Sequence, residues 1–395
     1  MILQTVVLDY VPECGRGERS FQIGMNILVL NWRDMKHPEA GGAEVHFQEI
    51  FKRLVLKGHT VTLLATKFAG AAHEDLQDDI RVLRWGHTYT FNWEAPFLIR
   101  RLLRGQRFDC IVDDVNKIPF FTPRWFPKYP VCAFFHHLFG KTVFDLAPYP
   151  LAAYVRFLEK RSTWGYRDVP TCTVSESTKA ELVAHGFRPD NIRIIENSVD
   201  TDRYKPPERP EAKDKATLFF AGRLKRYKNV ALVIESLEDL IPNHPTIRLV
   251  VAGAGDDEQN LVARARELNF SDRVDFVGFV SEEKKIELLQ RATLFVNPSH
   301  KEGWGITNIE ANSCGTAVVA NDAPGLRDSV RHDKTGLIYR ENNRDDLVRC
   351  IDILLKDRGK RESLEQEGRQ WALSFSWDNS ARKVEQWLSQ VAGGS

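Results

Sequence analysis

The run LFVNPSHKEGWGITNIEANSCGTAVVANDAPGLRDSV, residues 294–330, admits few folds. Leu294, Phe295 and Val296 form an apolar, β-prone stretch, and Pro298, Ser299 and His300 break it. Glu302-Gly303-Trp304-Gly305 then makes a turn that opens a helix over 306–314. Gly315 stops that helix, and a second apolar strand follows over 317–320. The pattern is strand, loop, helix, strand. Glu302 precedes the helix and Glu310 lies about one and a half turns inside it, so both carboxylates can border one cavity at the helix N-terminus. That end offers free N–H groups and a positive dipole end to a phosphate or a hydroxyl-rich ligand, and Gly303 and Gly305 let a ligand approach the backbone.

The alternation recurs upstream. After a strand over 27–30, NWRDMKHPEAGGAEVHFQEIFKRLVLKGHTVTLLAT reads as loop, amphipathic helix and strand. Val45, Ile50, Phe51, Leu54 and Val55 fall at helical spacing, and Lys57-Gly58-His59 ends the helix. Gly41 and Gly42 stand just before that helix, where backbone N–H groups can meet a phosphate or sugar; a Gly-Gly pair alone is more often only a turn. Strands over 80–85 and 110–112 flank a helix over 95–103, and the second of them ends in Asp113-Asp114. An aspartate pair at a strand end suits either a metal or hydrogen bonds to neighbouring loops. A strand over 131–135 runs into His136-His137. A histidine among apolar residues is usually packed in a core, but ligands of open α/β sheets gather at the carboxyl ends of strands, where His136 lies.

Residues 206–216, PPERPEAKDKA, read as a linker. Beyond it a strand over 216–221 leads into Gly222 and the cations Arg223, Lys225, Arg226 and Lys228, ahead of a helix over 230–240. A strand, a glycine turn carrying cations and a helix N-terminus form a cradle for a diphosphate. Gly253 and Gly255 are a fragment of the dinucleotide fingerprint, and a strand over 274–278 ends at Gly278. Helices over 344–355 and 360–374 follow, then a last amphipathic helix over 376–392. At 395 residues the chain divides into a segment 1–24 outside the fold, a first domain over 25–200 and a second over 201–375, with the last helix after it.

Composition narrows the partners. A net charge of +1 with 28% charged residues argues against a general nucleic-acid binder. Six cysteines scattered singly read as reduced, buried thiols of a cytoplasmic protein. No apolar run approaches a membrane span, and acidic and proline residues near the start are wrong for a signal peptide. Between Phe91 and Arg167, however, twelve Lys/Arg face six Asp/Glu among many aromatics. That mixture suits an anionic membrane surface or a solvated helix face with buried rings behind it.

The E-x7-E pair in KEGWGITNIEANSCGTAVVAND, followed by DAPGLRDSV and by DKTGLIY at 333–339, resembles the donor site of the retaining GT-B glycosyltransferases of family four. The likeness covers nearly the whole chain and is strongest over 221–339. It implies an α/β fold of two Rossmann-like domains facing across a cleft, with no metal and no cofactor, a nucleoside diphosphate sugar being the substrate. Arg223 and Lys228 match the cations that neutralise the leaving diphosphate. Glu302 and His136 match groups that hold sugar hydroxyls, and Glu310 one that binds the ribose. The histidine doublet leaves the ring open between His136 and His137; His136, first after the strand, is favoured. Gly41, Gly42, Gly222, Gly253, Gly278, Gly303, Trp304, Gly305 and Ile306 fall on the donor-site loops. ENSVDTDRYKP resembles the hinge, with Ser198 where glycine is usual, and the last helix is expected to cross back onto the first domain. The resemblance implies transfer of a hexosyl unit from a UDP- or GDP-sugar to a hydroxyl acceptor, and the cations and aromatics between Phe91 and Arg167 point to a sugar or lipid-linked glycan at the inner membrane face as that acceptor. A binding protein without turnover and a transferase for a soluble acceptor are the alternatives.

Overall fold

In a computed structural model of the chain, residues 24–393 are described apart from 89, 117, 146, 209–212, 214 and 215. Segment 1–23, with Cys14, and much of the linker over 206–216 lie outside the described residues. The first half runs β1 (Asn26–Leu30), α1 (Gly42–Leu56), β2 (Thr60–Ala65), β3 (Glu74–Gln77), β4 (Ile80–Arg84), α2 (Phe91–Gly105), β5 (Cys110–Val115), α3 (Thr122–Trp125), β6 (Val131–Phe135), α4 (Tyr149–Lys160), α5 (Ser162–Tyr166), β7 (Thr171–Thr173), α6 (Glu176–Ala184) and β8 (Ile192–Ile194). Its eight strands lie in the order β3-β4-β2-β1-β5-β6-β7-β8, parallel except for β3. Strand β3 is not expected from the sequence. Its sequence, EDLQ, carries no apolar alternation, and it is held at the sheet edge by antiparallel pairing with β4.

The second half runs β9 (Thr217–Ala221), α7 (Val230–Leu240), β10 (Arg248–Ala252), α8 (Glu258–Glu267), β11 (Val274–Gly278), α9 (Glu282–Arg291), β12 (Leu294–Asn297), α10 (Ile306–Ser313), β13 (Ala317–Asn321), α11 (Leu326–Ser329), β14 (Gly336–Tyr339), α12 (Arg344–Lys356), α13 (Arg358–Leu373) and α14 (Trp377–Gly393). Six parallel strands take the order β11-β10-β9-β12-β13-β14.

Both sheets are covered on both faces, which is why their central strands are continuous apolar runs. Along β1, Ile27 and Val29 enter one core with α1 residues Phe47, Ile50 and Leu54, while Leu28 and Leu30 enter the opposite core with Phe91 and Ile99 of α2. Along β9, Leu218 and Phe220 pack with Val233 and Leu237 of α7, whereas Phe219 and Ala221 pack with Ile309 of α10 and Ala372 of α13. The five described cysteines are all free and buried.

Helix α14 belongs to the first sheet by packing. Trp377, Val384, Trp387 and Leu388 join Phe47 and Phe134 in one core, and ion pairs Arg53–Asp378 (2.7 Å) and Lys57–Glu385 flank it. Ser198 explains itself here: its hydroxyl meets Ser380 Oγ of α14 at 3.0 Å, and Ser380 in turn donates to the Glu196 carbonyl at 3.1 Å. The side chain ties the segment between the domains to the returning helix.

Each sheet has one place where strand order reverses: between β1 and β5 in the first, between β9 and β12 in the second. The carboxyl ends of strands at such a reversal leave a crevice for ligands. The glycine turn Gly41-Gly42 and the carboxyl ends of β5 and β6 stand at the first, and the turns after β9 and β12 form the second.

Candidate active site

The turn after β9 carries the cations. Arg226 to Lys228 make one 3-10 turn and Asn229, left-handed at φ 54°, starts α7. Lys228 Nζ forms an ion pair with the Glu302 carboxylate, both side chains being mostly buried. Burial disfavours the Lys228 ammonium, but Glu302 and the Tyr227 ring outweigh it and raise its pKa, so the cation persists. Gly305, at φ 77°, makes the left-handed start of α10; a Cβ there would stand 2.8 Å from Leu326.

Glu310 lies inside α10, buried, and meets Lys285 Nζ of α9 at 3.1 Å; Lys285 also meets Glu282 at 2.9 Å. Burial raises the Glu310 pKa, Lys285 opposes this, and Glu282 adds to it. The two carboxylates of the E-x7-E motif therefore go to two different lysines. Trp304 turns its ring away from the cleft. Its side chain is buried in the second domain's core, edge-on to Phe375 at 5.2 Å, so only its backbone is left to the donor-site loop. Ile306, the first residue of α10, is half-buried at the seam between the cores.

The domains meet along the cleft at their glycines. A Cβ on Gly41 would stand 2.7 Å from Arg223 Nη2, and Arg223 Nη1 donates to the Glu39 carbonyl at 3.4 Å. A Cβ on Gly303 would stand 2.5 Å from the His136 carbonyl oxygen. Lys301 beside it reaches Glu181 of α6 at 2.6 Å. The space expected for a ligand at these glycines is therefore taken, on the Cβ side, by protein. Gly253 and Gly255 likewise make room for the carbonyls of Gly222 (1.9 Å) and Leu224 (2.1 Å), and Gly222 faces the Phe220 ring at 3.3 Å. Gly42 and Gly278 have nothing within 4 Å and open onto free space.

His136 Nε2 lies 2.6 Å from Asp114 Oδ1. His137 is half-buried, and its pKa falls to about 3 through burial first and then the charges of Lys301, His136, Lys228 and Arg223. It is thus a neutral ring in the field of the cation turn. Asp113 accepts from the Tyr166 hydroxyl (2.5 Å) and the Thr122 N–H (3.2 Å), with burial pushing its pKa up to about 6. Both members of the aspartate pair are engaged by protein groups. Among the described residues no group of three or more His, Cys, Asp or Glu is arranged to hold a metal ion. Lys285, Lys301 and Glu44 join the site unannounced by their neighbours in the chain, save that Glu44 is the acidic residue of the GGAE turn.

Two parallel-sheet domains whose cation turn and glycine turn face each other define the GT-B glycosyltransferase architecture. Residues 202–371 match the family of glycosyl transferases group 1 and residues 40–203 match glycosyltransferase family 4, and together the two matches place the chain in the family-four glycosyltransferases. A D-inositol 3-phosphate glycosyltransferase of Acidothermus cellulolyticus is 29% identical over 216 residues. That match takes in 51% of this chain and 48% of the relative, so the chain spans about half of that relative's length. Sucrose-phosphate synthase from Thermosynechococcus elongatus superposes with a TM-score of 0.80 at 19% identity, over 94% of this chain and 100% of that one. Anabaena Alr3699/HepE in complex with UDP-glucose does so with a TM-score of 0.74 at 19% identity, over 93% and 100%. At these identities the two structures speak for the fold.

Proposed function

We propose that the chain is a retaining, metal-independent hexosyltransferase that moves a sugar from a nucleoside diphosphate to a hydroxyl acceptor. The observation that carries this reading is the pair of cations on one turn at the reversal point, Arg223 lodged against Gly41 and Lys228 against Glu302. Departure of the diphosphate builds negative charge on its oxygens and positive charge on the sugar ring. Arg223, Lys228 and the α7 N-terminus answer the first, and such preorganised charge is often the largest catalytic contribution. Glu302 and His136 hold sugar hydroxyls, Glu310 the ribose, and Gly42, open where a Cβ would stand, borders the diphosphate. The acceptor's proton passes to the leaving phosphate on the same face of the sugar. UDP- and GDP-hexoses are both eligible donors, and the UDP-glucose complex of the Anabaena protein makes UDP-glucose the first to try. Transfer from labelled nucleotide sugars, with the anomeric configuration of the product read by NMR, tests the proposal; nucleotide-sugar binding without diphosphate release would mark a binding protein instead. Activity is expected to survive EDTA, because protein cations neutralise the diphosphate. Complete loss on chelation, restored by Mg²⁺ or Mn²⁺, would refute the metal-independent reading.

The acceptor we propose is a lipid-linked glycan at an anionic membrane face. Among the described residues no helix is long and apolar enough to cross a membrane. The first domain nonetheless exposes Trp93 and Phe97 on α2, Tyr149 and Phe157 on α4, and Trp125 and Trp164 nearby. Arginines lie over several of these rings, Arg124 over Trp164 at 4.6 Å and Arg161 over Phe157 at 5.0 Å. Exposed rings beside guanidinium groups suit the headgroup region, with about 1 kcal/mol for each basic residue near the surface. In co-sedimentation the protein should pellet with anionic but not neutral vesicles and be released by high salt. The triple variant Arg100→Ala/Arg101→Ala/Arg104→Ala should stay in solution. Wild-type protein left in the supernatant with anionic vesicles at low salt would favour a soluble acceptor.

A further inference from the structure

At the reversal point of the first sheet, buried polar side chains form one unbroken hydrogen-bonded relay. The Gly41 N–H donates to Glu44 Oε2 (2.7 Å), and Glu44 Oε1 accepts from Asn116 Nδ2 (2.6 Å). The same Asn116 nitrogen donates to Asn31 Oδ1 (3.0 Å), Asn31 Nδ2 donates to Asp114 Oδ2 (2.6 Å), and Asp114 Oδ1 faces His136 Nε2 (2.6 Å). The relay brings together residues from the ends of β1, β5 and β6 and from the first turn of α1. Glu44, Asn31, Asn116, Asp114 and His136 are each 8% exposed or less.

The direction of every bond is forced. A carboxylate only accepts, so all four oxygens of Glu44 and Asp114 must face donors, and they do: a backbone N–H, two amide nitrogens and the histidine ring. His136 therefore carries its proton on Nε2, and in the neutral ring Nδ1 holds the lone pair. His46 packs edge-on against it at 5.0 Å, and burial, with His136 second, holds His46 well below the usual histidine range, so that ring adds no positive charge there. Among the described residues neither carboxylate is ion-paired to a lysine or arginine. Two such buried carboxylates stabilise a core less than apolar side chains of the same volume would, so stability alone does not explain them.

We propose that this relay sets the tautomer of His136 and fixes it relative to the Gly41 turn, making Asp114 and Glu44 positioning residues of the transfer reaction. The inference rests on the donor-site role given to His136 above. It follows that His136 offers substrate an acceptor, so a sugar hydroxyl meeting Nδ1 donates. The other end of the relay is the turn against which Arg223 lodges, so the sugar-holding ring and the phosphate-holding cation are referenced to one rigid frame.

Long-range ¹H–¹⁵N NMR of the full chain with labelled histidine tests this, His136 being assigned with His136→Gln. The wild type should show Nε2–H and an unprotonated Nδ1 between about pH 7 and 8. In Asp114→Asn the amide NH₂ faces the ring and the proton should move to Nδ1. Turnover should fall about a hundredfold with donor KM within about threefold, the signature of lost positioning rather than lost binding. Glu44→Gln, which puts a donor against either the Gly41 N–H or the Asn116 amide, should lower turnover about tenfold and leave the His136 proton on Nε2. Nδ1–H in the wild type overturns the proposal even if Asp114→Asn fails to fold, and so does an Asp114→Asn protein with wild-type turnover. A wild type that releases no diphosphate from any nucleotide sugar refutes the transferase reading instead, and the ring-nitrogen spectrum then judges the relay alone.

Discussion

Arg223→Ala is expected to lower transfer at least about a hundredfold, the scale on which a preorganised contact to developing charge is lost. The residue is a clean test because it is exposed, and its polar contact is a long one to the Glu39 carbonyl, so removing it leaves no buried partner stranded. Lys228→Ala is less clean, since it strands the mostly buried Glu302 carboxylate and so mixes a stability cost with the catalytic one. Arg223→Lys should recover only part of the loss, because an ammonium cannot grip a phosphate with two parallel N–H groups. Glu310→Ala should also cost about a hundredfold, as donor binding fails and Lys285 is left to Glu282 alone. Initial rates of diphosphate release measure all of these, and near-wild-type turnover in Arg223→Ala would remove the donor-site assignment.

The second large effect concerns stability. Trp387→Ala should cost about 3–5 kcal/mol, the range for deleting a buried aromatic side chain. Trp387 is 2% exposed and meets Phe134 of β6 edge-on at 5.1 Å. Its partners in the core include Phe47 and Phe51 of α1, so the loss falls on the first sheet although Trp387 follows the whole second domain in sequence. Urea unfolding followed by tryptophan fluorescence and by circular dichroism checks this; a change under about 1 kcal/mol contradicts the packing described.

Much of this architecture could be read from residue order because its signals are local. Strands such as Val131–Phe135 are unbroken apolar runs, helix starts follow glycine turns, and the motif that carries the family likeness lies within one strand–loop–helix segment. What escaped was set by contacts distant in the chain. Nothing near Glu310 announces Lys285, and nothing near Asn31 announces Asp114 or Asn116. Trp304 sits in the motif, yet its ring is claimed by Phe375, a residue outside it. Glycine showed where the backbone is approached closely but not by what: Arg223 at Gly41, the His136 carbonyl at Gly303, and open space at Gly42. The strand Glu74–Gln77 escapes because its inward residues, Asp75 and Gln77, are polar and Leu76 points outward, so no apolar period-two pattern marks it.

The place of α14 also sets the order in which the molecule can be assembled during synthesis. Strands β1 to β8 are all made by Ile194, yet the face of their sheet bearing Ile27, Val29 and Phe134, which α1 covers in part, is not complete until residues 377–393 follow. The second domain, with its own cores between β9 and α13, can close first. The first domain therefore cannot complete its core until its last helix is made, and until then the part of that face which Trp377, Val384 and Trp387 cover stays open to chaperones and to other nascent chains.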